Sequence, residues 1–396
     1  MQTKTNFPSR TAALLAVLVT ILLFYGVYDS FSSLAVPVIK TAFGASELDQ
    51  GVFNALRSAG ALAGSLLSVV LIGRVGARPS LTAGLLLMVA GLAAVAVSGS
   101  FFAVMLTSTL LATGCSLMLN GANGCATLFG ERGRQTMPLI HACFGIGASL
   151  GSLVSGRLLL APAFGWRGLH WLCLPAIAVC ALLTMLVPLP GATAAGAAPA
   201  GKALTLRAFL DDRRALCFIV FAVFAGNLET SPRVWGPLYF QDAYGINPAQ
   251  EGSLYLTVFF LTFTVSRLLL AWMVARGRSP LTLCWISLLG TIALFTIGFL
   301  LGKNGIYVIA AGGFFCAGIY PLMMTVFMRM YPLAQAAQAM AYLALITGIF
   351  GIGLQYLIGV VNQLLSPAWG FRFCVILAAA SLLFFQLSQR RAPASD

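Results

Sequence analysis

The sequence predicts an all-α membrane protein with twelve transmembrane helices in two halves of six. Three observations support this fold class. Sixty percent of the 396 residues are hydrophobic and only 8% are charged, whereas soluble domains carry about 25% charged residues. A helix needs about 20 apolar residues to cross a bilayer, so this apolar content is enough for about twelve crossings. Motifs of the first half also recur in the second half.

The low charge content excludes a cytosolic enzyme, a disordered protein and a secreted disulfide scaffold. The net charge of +13 agrees with the enrichment of Lys and Arg in cytoplasmic loops, so we expect no nucleic-acid partner. The nine cysteines lie in or beside apolar runs without a CxxC pair, and there are two histidines. We therefore expect no metal site and no cofactor.

Apolar runs broken by short charged or Gly/Pro turns define the spans. In chain order they are 11–38, 48–72, 79–98, 101–128, 137–160, 168–189, 214–240, 250–275, 280–301, 304–328, 334–364 and 367–389. The first ten residues lead into an apolar run without a small-residue cleavage site. We interpret them as a cytoplasmic tail rather than a signal peptide.

The stretch 190–213 is rich in Ala, Gly and Pro, ends in charged residues and lies close to mid-chain. We interpret it as a cytoplasmic linker between an N-terminal six-helix bundle, 1–189, and a C-terminal six-helix bundle, 214–396. With the N-terminus in the cytoplasm, 15 Lys and Arg residues lie on the cytoplasmic side, 5 lie outside and 3 lie within spans. This asymmetry predicts both termini in the cytoplasm, in a multi-pass protein of the inner (plasma) membrane.

The two halves carry matching motifs. Asp29 in helix 1 and Glu229 in helix 7 each precede a proline by eight residues, and FGIG occurs at 144–147 and again at 350–353. The offsets agree at 200 to 206 residues, which indicates a duplication. Two six-helix halves in one orientation are typical of a transporter that alternates access to a site at mid-membrane.

Four segments resemble the major facilitator superfamily, and within it the fucose-permease-like branch. They are YGVYDSFSSLAVPVIKTAFG (25–44), PLIHACFGIGASLG (138–151), GNLETSPRVWGPLY (226–239) and GIYP (318–321). The resemblance extends over the whole chain. It implies the major facilitator fold and a transporter similar to sugar:proton symporters.

The sequence departs from the family pattern in two places. The loop IGRVGARPS has Gly73 where the family usually carries an Asp, although Arg74 and Arg78 remain. We assign these two arginines to gating. The carboxylates that the sugar:proton symporter uses in helices 1 and 4 align with Ser33 and Leu119, so that proton machinery does not carry over.

Ionisable residues inside the spans are the main functional candidates, because each costs at least about 2.5–3.5 kcal/mol to insert. We assign Asp29 and Glu229 to proton coupling. Arg57 and Arg233 are candidates for binding an anionic substrate, because guanidinium binds carboxylates bidentately. The alternative is that the four form structural ion pairs, Asp29 with Arg57 and Glu229 with Arg233. Arg267 in helix 8 is a gating or structural candidate.

Uncharged polar and aromatic residues inside the spans complete the candidate substrate site. They are Tyr28, Asn120, Asn123, His141, Trp235 and Gln355. The amides either donate to a polar solute or join helices. The rings of Tyr28, Trp235 and Tyr239 either stack on a sugar or anchor at the membrane interface. His141 either shuttles protons or makes one hydrogen bond to a neighbouring helix.

We predict a monomeric secondary active transporter that moves a small polar, sugar-like solute together with a proton across the lipid bilayer. The sequence has no catalytic constellation, so we expect no enzyme, and no P-loop for direct ATP coupling. One alternative is a carrier of organic anions or carboxylate metal chelates, siderophore-like, that uses Arg57 and Arg233. A second alternative is an exporter of amphipathic drugs. A transport-inactive scaffold would have little surface outside the membrane for partners.

Overall fold

The computed structural model describes residues 9–126, 133–161, 164–186 and 204–390. Within these ranges the secondary structure is helical and contains no strand. Twelve helical segments of the described chain are long and apolar enough to cross a membrane. A helix suits lipid because all of its backbone hydrogen bonds are made within the segment. The predicted all-α, twelve-span fold is confirmed.

The first six spans are continuous helices. They are α1 (Ser9–Phe43), α2 (Glu47–Val75), α3 (Ala77–Val97), α4 (Phe101–Ala126), α5 (Gly133–Leu160) and α6 (Gly165–Leu186).

The second half contains more and shorter helices. They are α7 (Leu206–Asp211), α8 (Arg213–Val234), α9 (Gly236–Tyr244), α10 (Glu251–Ala275), α11 (Pro280–Leu300), α12 (Ile306–Ala311), α13 (Gly313–Cys316), α14 (Ile319–Met328), α15 (Leu333–Leu364) and α16 (Trp369–Ser388). A 3₁₀ turn, Gly302–Gly305, precedes α12.

Two predicted spans are not continuous. The seventh, 214–240, is divided at Trp235 into α8 and α9, and the tenth, 304–328, is divided into α12, α13 and α14. Pro237 lies in the first turn of α9, and proline lacks the N–H that would continue the hydrogen-bond ladder. Gly312 and Gly318 lie at the two breaks of the tenth span.

The chain divides into two compact units. The first comprises Met1–Ala45 and Leu56–Gly196, and the second comprises Ser46–Ala55 and Ala197–Asp396. The predicted boundaries at 1–189, 190–213 and 214–396 stay a prediction, because residues 187–203 lie outside the described chain. Of the predicted linker, residues 206–211 form α7.

Backbone-to-backbone packing joins α1 to α5 in the first unit. A Cβ atom at Gly26 would overlap the carbonyl oxygen of Phe144, and one at Gly147 would overlap that of Leu23. Small residues permit this approach in membranes, so the FGIG motif of α5 is a packing motif. At Gly351 and Gly353, in the second FGIG, a Cβ atom would meet no atom of the described chain within 4 Å. The repeated motif therefore packs differently in the two units.

Candidate functional site

An ion pair links helices α8 and α10 of the second unit. Arg267 on α10 donates from Nη2 to Oε1 of Glu229 on α8, at 2.7 Å. The two side chains are 25% and 18% exposed. The Nε of Arg267 lies 3.4 Å from the carbonyl oxygen of Ala317, just before α14. The ion pair therefore lies beside the broken tenth span.

The ion pair gives Glu229 a partner that the sequence did not indicate. The i,i+4 spacing pointed to Arg233, which also acts electrostatically on Glu229, whereas Arg267 lies 38 residues further along the chain and leaves no local signal. Arg267 also packs its guanidinium 4.4 Å from the ring centre of Phe263, a cation–π contact that helps to hold the charge. Arg233 is half-buried in the last turn of α8.

Trp235 and Gln355, both predicted site residues, are brought together by the fold. The indole Nε1 of Trp235 donates to Oε1 of Gln355 at 2.7 Å, and Nε2 of Gln355 donates to Oδ1 of Asn227 at 3.0 Å. Asn227 in turn donates to the carbonyl of Val223 at 2.7 Å. Asn227 was not among the predicted site residues, although an amide inside an apolar span is the signal that identified Asn120.

Tyr255 on α10 supports the break between α8 and α9. Its hydroxyl donates to the carbonyl oxygen of Pro232 at 2.7 Å. In a continuous helix the amide of Gly236 would donate to this carbonyl, but α8 ends at Val234. A Cβ atom at Gly236 would lie 2.5 Å from the Tyr255 hydroxyl. The break that carries Trp235 thus depends on Tyr255, for which the sequence provides no signal.

A second polar cluster lies in the first unit. Arg57 on α2 donates from Nη2 to the hydroxyl of Ser32 on α1 at 3.1 Å. Ser32 also hydrogen-bonds the hydroxyl of Tyr28, and Asp29 and Arg57 both act electrostatically on Tyr28. Tyr28 and Asp29 are buried. The fold thus brings three predicted site residues together, with Ser32 as an addition.

The remaining polar candidates of the first unit lie apart along α4 and α5. Asn120 donates from Nδ2 to the hydroxyl of Ser68 on α2 at 3.0 Å, a bond that joins two helices. Asn123 and His141 are half-buried. The second histidine, His170, is buried with Nδ1 2.8 Å from the carbonyl oxygen of Trp166, as expected of a histidine in helix packing.

Arg78, assigned to gating, binds the end of α6. Its Nε donates to the carbonyl of Thr184 and its Nη2 to the carbonyl of Met185, both at 2.8 Å. A cation at a helix C-terminus is favourable because of the helix dipole. Arg74 is exposed in the last turn of α2. Gating by Arg74, Arg78 and Arg267 stays a prediction.

Tyr239 and Tyr244 surround Arg372 in the second unit. Their hydroxyls lie 3.1 Å apart and both accept from Nη2 of Arg372, at 3.4 and 3.2 Å. Tyr239 is fully packed and belongs to this cluster rather than to that of Trp235.

A family model described as Major Facilitator Superfamily matches residues 17–311. The chain belongs to the major facilitator superfamily. No curated protein matches it by sequence. The predicted family is confirmed, and with it a multi-pass membrane protein that performs secondary transport of a small molecule rather than enzyme chemistry. Its twelve spans are consistent with the predicted location in the inner membrane.

Several solved structures share this fold. A variant of the nucleoside transporter NupG has a TM-score of 0.76 and 14% identity, covering 96% of this chain and 100% of its own. The D-xylose–proton symporter has a TM-score of 0.73 and 12% identity, covering 97% and 100%. The E. coli fucose:proton symporter FucP has a TM-score of 0.63 and 16% identity, covering 95% and 98%. The major facilitator fold is thus shared despite low sequence identity.

Proposed function

We propose that this major facilitator is a proton-coupled transporter of a small, neutral, sugar-like solute that works by alternating access. The observation that carries the proposal is the shielded ion pair between Glu229 and Arg267. An ionised carboxylate holds Arg267, whereas a protonated carboxyl releases it, so protonation changes a link between two helices. A ligand or proton shifts a conformational equilibrium only through such a differential interaction. Asp29, in the polar cluster of the first unit, is the second coupling candidate.

The cluster of Trp235, Gln355 and Asn227 supports a neutral solute. The three side chains hydrogen-bond one another and are at most 9% exposed, and each amide keeps a second N–H and a further acceptor lone pair for the hydroxyl groups of a solute. A site built to hydrogen-bond hydroxyl groups rejects analogues that lack them, because its buried polar groups are left unpaired. The similar structures are transporters of a nucleoside, of D-xylose and of fucose, which are solutes with several hydroxyl groups.

The solute class is tested by thermal unfolding of the purified protein with D-xylose, L-fucose or uridine, since a ligand that binds the folded state raises its stability by mass action. We expect stabilisation by at least one of them. Trp235→Phe should weaken it, because the indole N–H is lost while the aromatic ring is kept. Stabilisation that is identical in wild type and Trp235→Phe would remove this cluster from the solute site.

The coupling is tested in vesicles with the stabilising solute. Glu229→Gln should lose accumulation driven by a pH gradient but keep solute exchange, because exchange needs no release of a proton. Asp211→Asn is the matched control, since its side chain is 75% exposed. If Glu229→Gln combined with Asp29→Asn still accumulates solute in response to a pH gradient, the coupling proposal is wrong.

A carrier of organic anions is the second candidate, and the cluster around Arg57 favours it. The guanidinium of Arg57 donates to the hydroxyl of Ser32, which also hydrogen-bonds the hydroxyl of Tyr28, and charged and hydroxyl donors together suit a carboxylate. Citrate and its ferric chelate are suitable probes. Stabilisation by either that is lost in Arg57→Gln, with the neutral probes inactive, would replace the sugar proposal with this one.

A further inference from the structure

A groove of about 520 Å³ lies between α3 and α6 in the first unit. Its polar residues are Arg78, Thr82 and Thr184, and its apolar residues include Ala83, Leu86 and Met185. Arg78 lies in the first turn of α3, and Leu86 lies about two turns further along the same helix. Leu86 and Met185 are 47% and 48% exposed. The groove therefore has a cationic end and an apolar end.

The charge of Arg78 is not matched by a nearby carboxylate in the described part of this unit. Between Asp49 and Asp211 the sequence contains one acidic residue, Glu131, which lies outside the described residues. The one described carboxylate of the first unit is Asp29, which belongs to the cluster of Tyr28. Arg78 uses two N–H donors on the carbonyls of α6, and a guanidinium has five.

We propose that this groove binds an anionic phospholipid of the cytoplasmic leaflet, with its phosphate at Arg78 and an acyl chain along Ala83 and Leu86. The distribution of Lys and Arg predicts that this end of α3 lies at the cytoplasmic surface. Anionic lipids are enriched in that leaflet, and basic pockets between helices bind their headgroups. Arginine binds phosphate through charge-assisted, often bidentate, hydrogen bonds. This inference is independent of the transported solute.

The apolar part of the groove distinguishes a lipid from a free anion. Inorganic phosphate would fill the space at Arg78 and leave Leu86 and Met185 uncovered, whereas a lipid covers both parts. A zwitterionic lipid has the same acyl chains but no net charge to offset Arg78. The groove therefore favours a ligand with a net negative headgroup and an attached chain.

The experiment measures lipid retention and thermal unfolding of the full-length protein in detergent. The probes are phosphatidylglycerol, phosphatidylcholine and inorganic phosphate. We expect phosphatidylglycerol to be retained in native mass spectra and to raise the unfolding temperature more than the other two. Arg78→Gln should weaken phosphatidylglycerol binding about tenfold or more, since hydrogen bonds to charged groups contribute about 1.5–3 kcal/mol. Arg278→Gln, an exposed arginine of the second unit predicted on the same side, should bind like wild type.

A second variant keeps the proposal testable if loss of the α6 contacts prevents Arg78→Gln from folding. Leu86→Trp fills the apolar part of the groove and leaves Arg78 in place, so it should also reduce retention of phosphatidylglycerol. Equal effects of phosphatidylglycerol and phosphatidylcholine would overturn the role of the charge. Equal effects of phosphatidylglycerol and inorganic phosphate would overturn the role of the chain. Unchanged retention in Leu86→Trp would exclude this groove.

Discussion

The hydroxyl of Tyr255 should contribute measurably to stability, because it satisfies the Pro232 carbonyl at the break between α8 and α9 at 2.7 Å. Tyr255→Phe keeps the ring, which is 0% exposed, and removes only the hydroxyl. Interhelical hydrogen bonds in membranes average about 0.6 kcal/mol, and an unsatisfied buried acceptor costs about 1–3 kcal/mol. We expect a loss of about 1–2 kcal/mol in the free energy of unfolding.

Gly236 provides a second test of the position of the Tyr255 hydroxyl. A Cβ atom there would lie 2.5 Å from the Tyr255 hydroxyl and 3.0 Å from two ring carbons. Gly236→Ala alone should therefore cost about 1–3 kcal/mol through overpacking. Removing the hydroxyl relieves the closest overlap. The double variant should therefore lose less unfolding free energy than the two single variants lose in sum, by at least about 0.5 kcal/mol.

The assay is unfolding of the purified protein by titration with SDS in mixed micelles, for the wild type, both single variants and the double variant. Tyr307→Phe is the matched control because that tyrosine is 45% exposed, and it should change the free energy of unfolding very little. Additive effects of Tyr255→Phe and Gly236→Ala would refute the reasoning, since they would mean that the hydroxyl does not occupy the space beside Gly236. A neutral Tyr255→Phe would refute the role of the hydrogen bond.

Three further predictions concern packing and thiols. Gly147→Ala should destabilise the protein by about 1–3 kcal/mol in the same SDS titration, because the added methyl group overlaps the Leu23 carbonyl. Gly73 has open space around it, so Gly73→Ala should be neutral or stabilising. Phe209→Ala should lower the free energy of unfolding by about 3–5 kcal/mol, because Phe209 is fully buried among aromatic rings. Leu206 is 42% exposed, so an equal loss of unfolding free energy in Leu206→Ala would contradict this prediction. A reducing agent should leave the unfolding free energy unchanged, because all nine cysteines are free thiols; a shift with dithiothreitol would contradict that.

The candidate sites could be predicted only in part. The rarity of polar residues in apolar spans identified Asp29, Glu229, Trp235 and Gln355, because each costs free energy to bury unless it has a partner. It did not indicate which of these residues contact one another. Ser32, Asn227 and Tyr255 complete the clusters, yet Ser and Tyr are common enough in membrane helices that their presence in a span carries little information.

The apolar runs of the sequence were enough to predict a membrane protein and roughly where its twelve spans lie. These properties are local, because the length of an apolar run decides whether a helix crosses the bilayer. The packing of the helices established that Glu229 pairs with Arg267 and that Trp235 donates to Gln355. Such contacts depend on the rotation of each helix about its axis and on the angle at which two helices cross. The spacing of residues along one helix gives neither quantity. For the same reason the sequence did not reveal that Tyr255 supports the break in the seventh span.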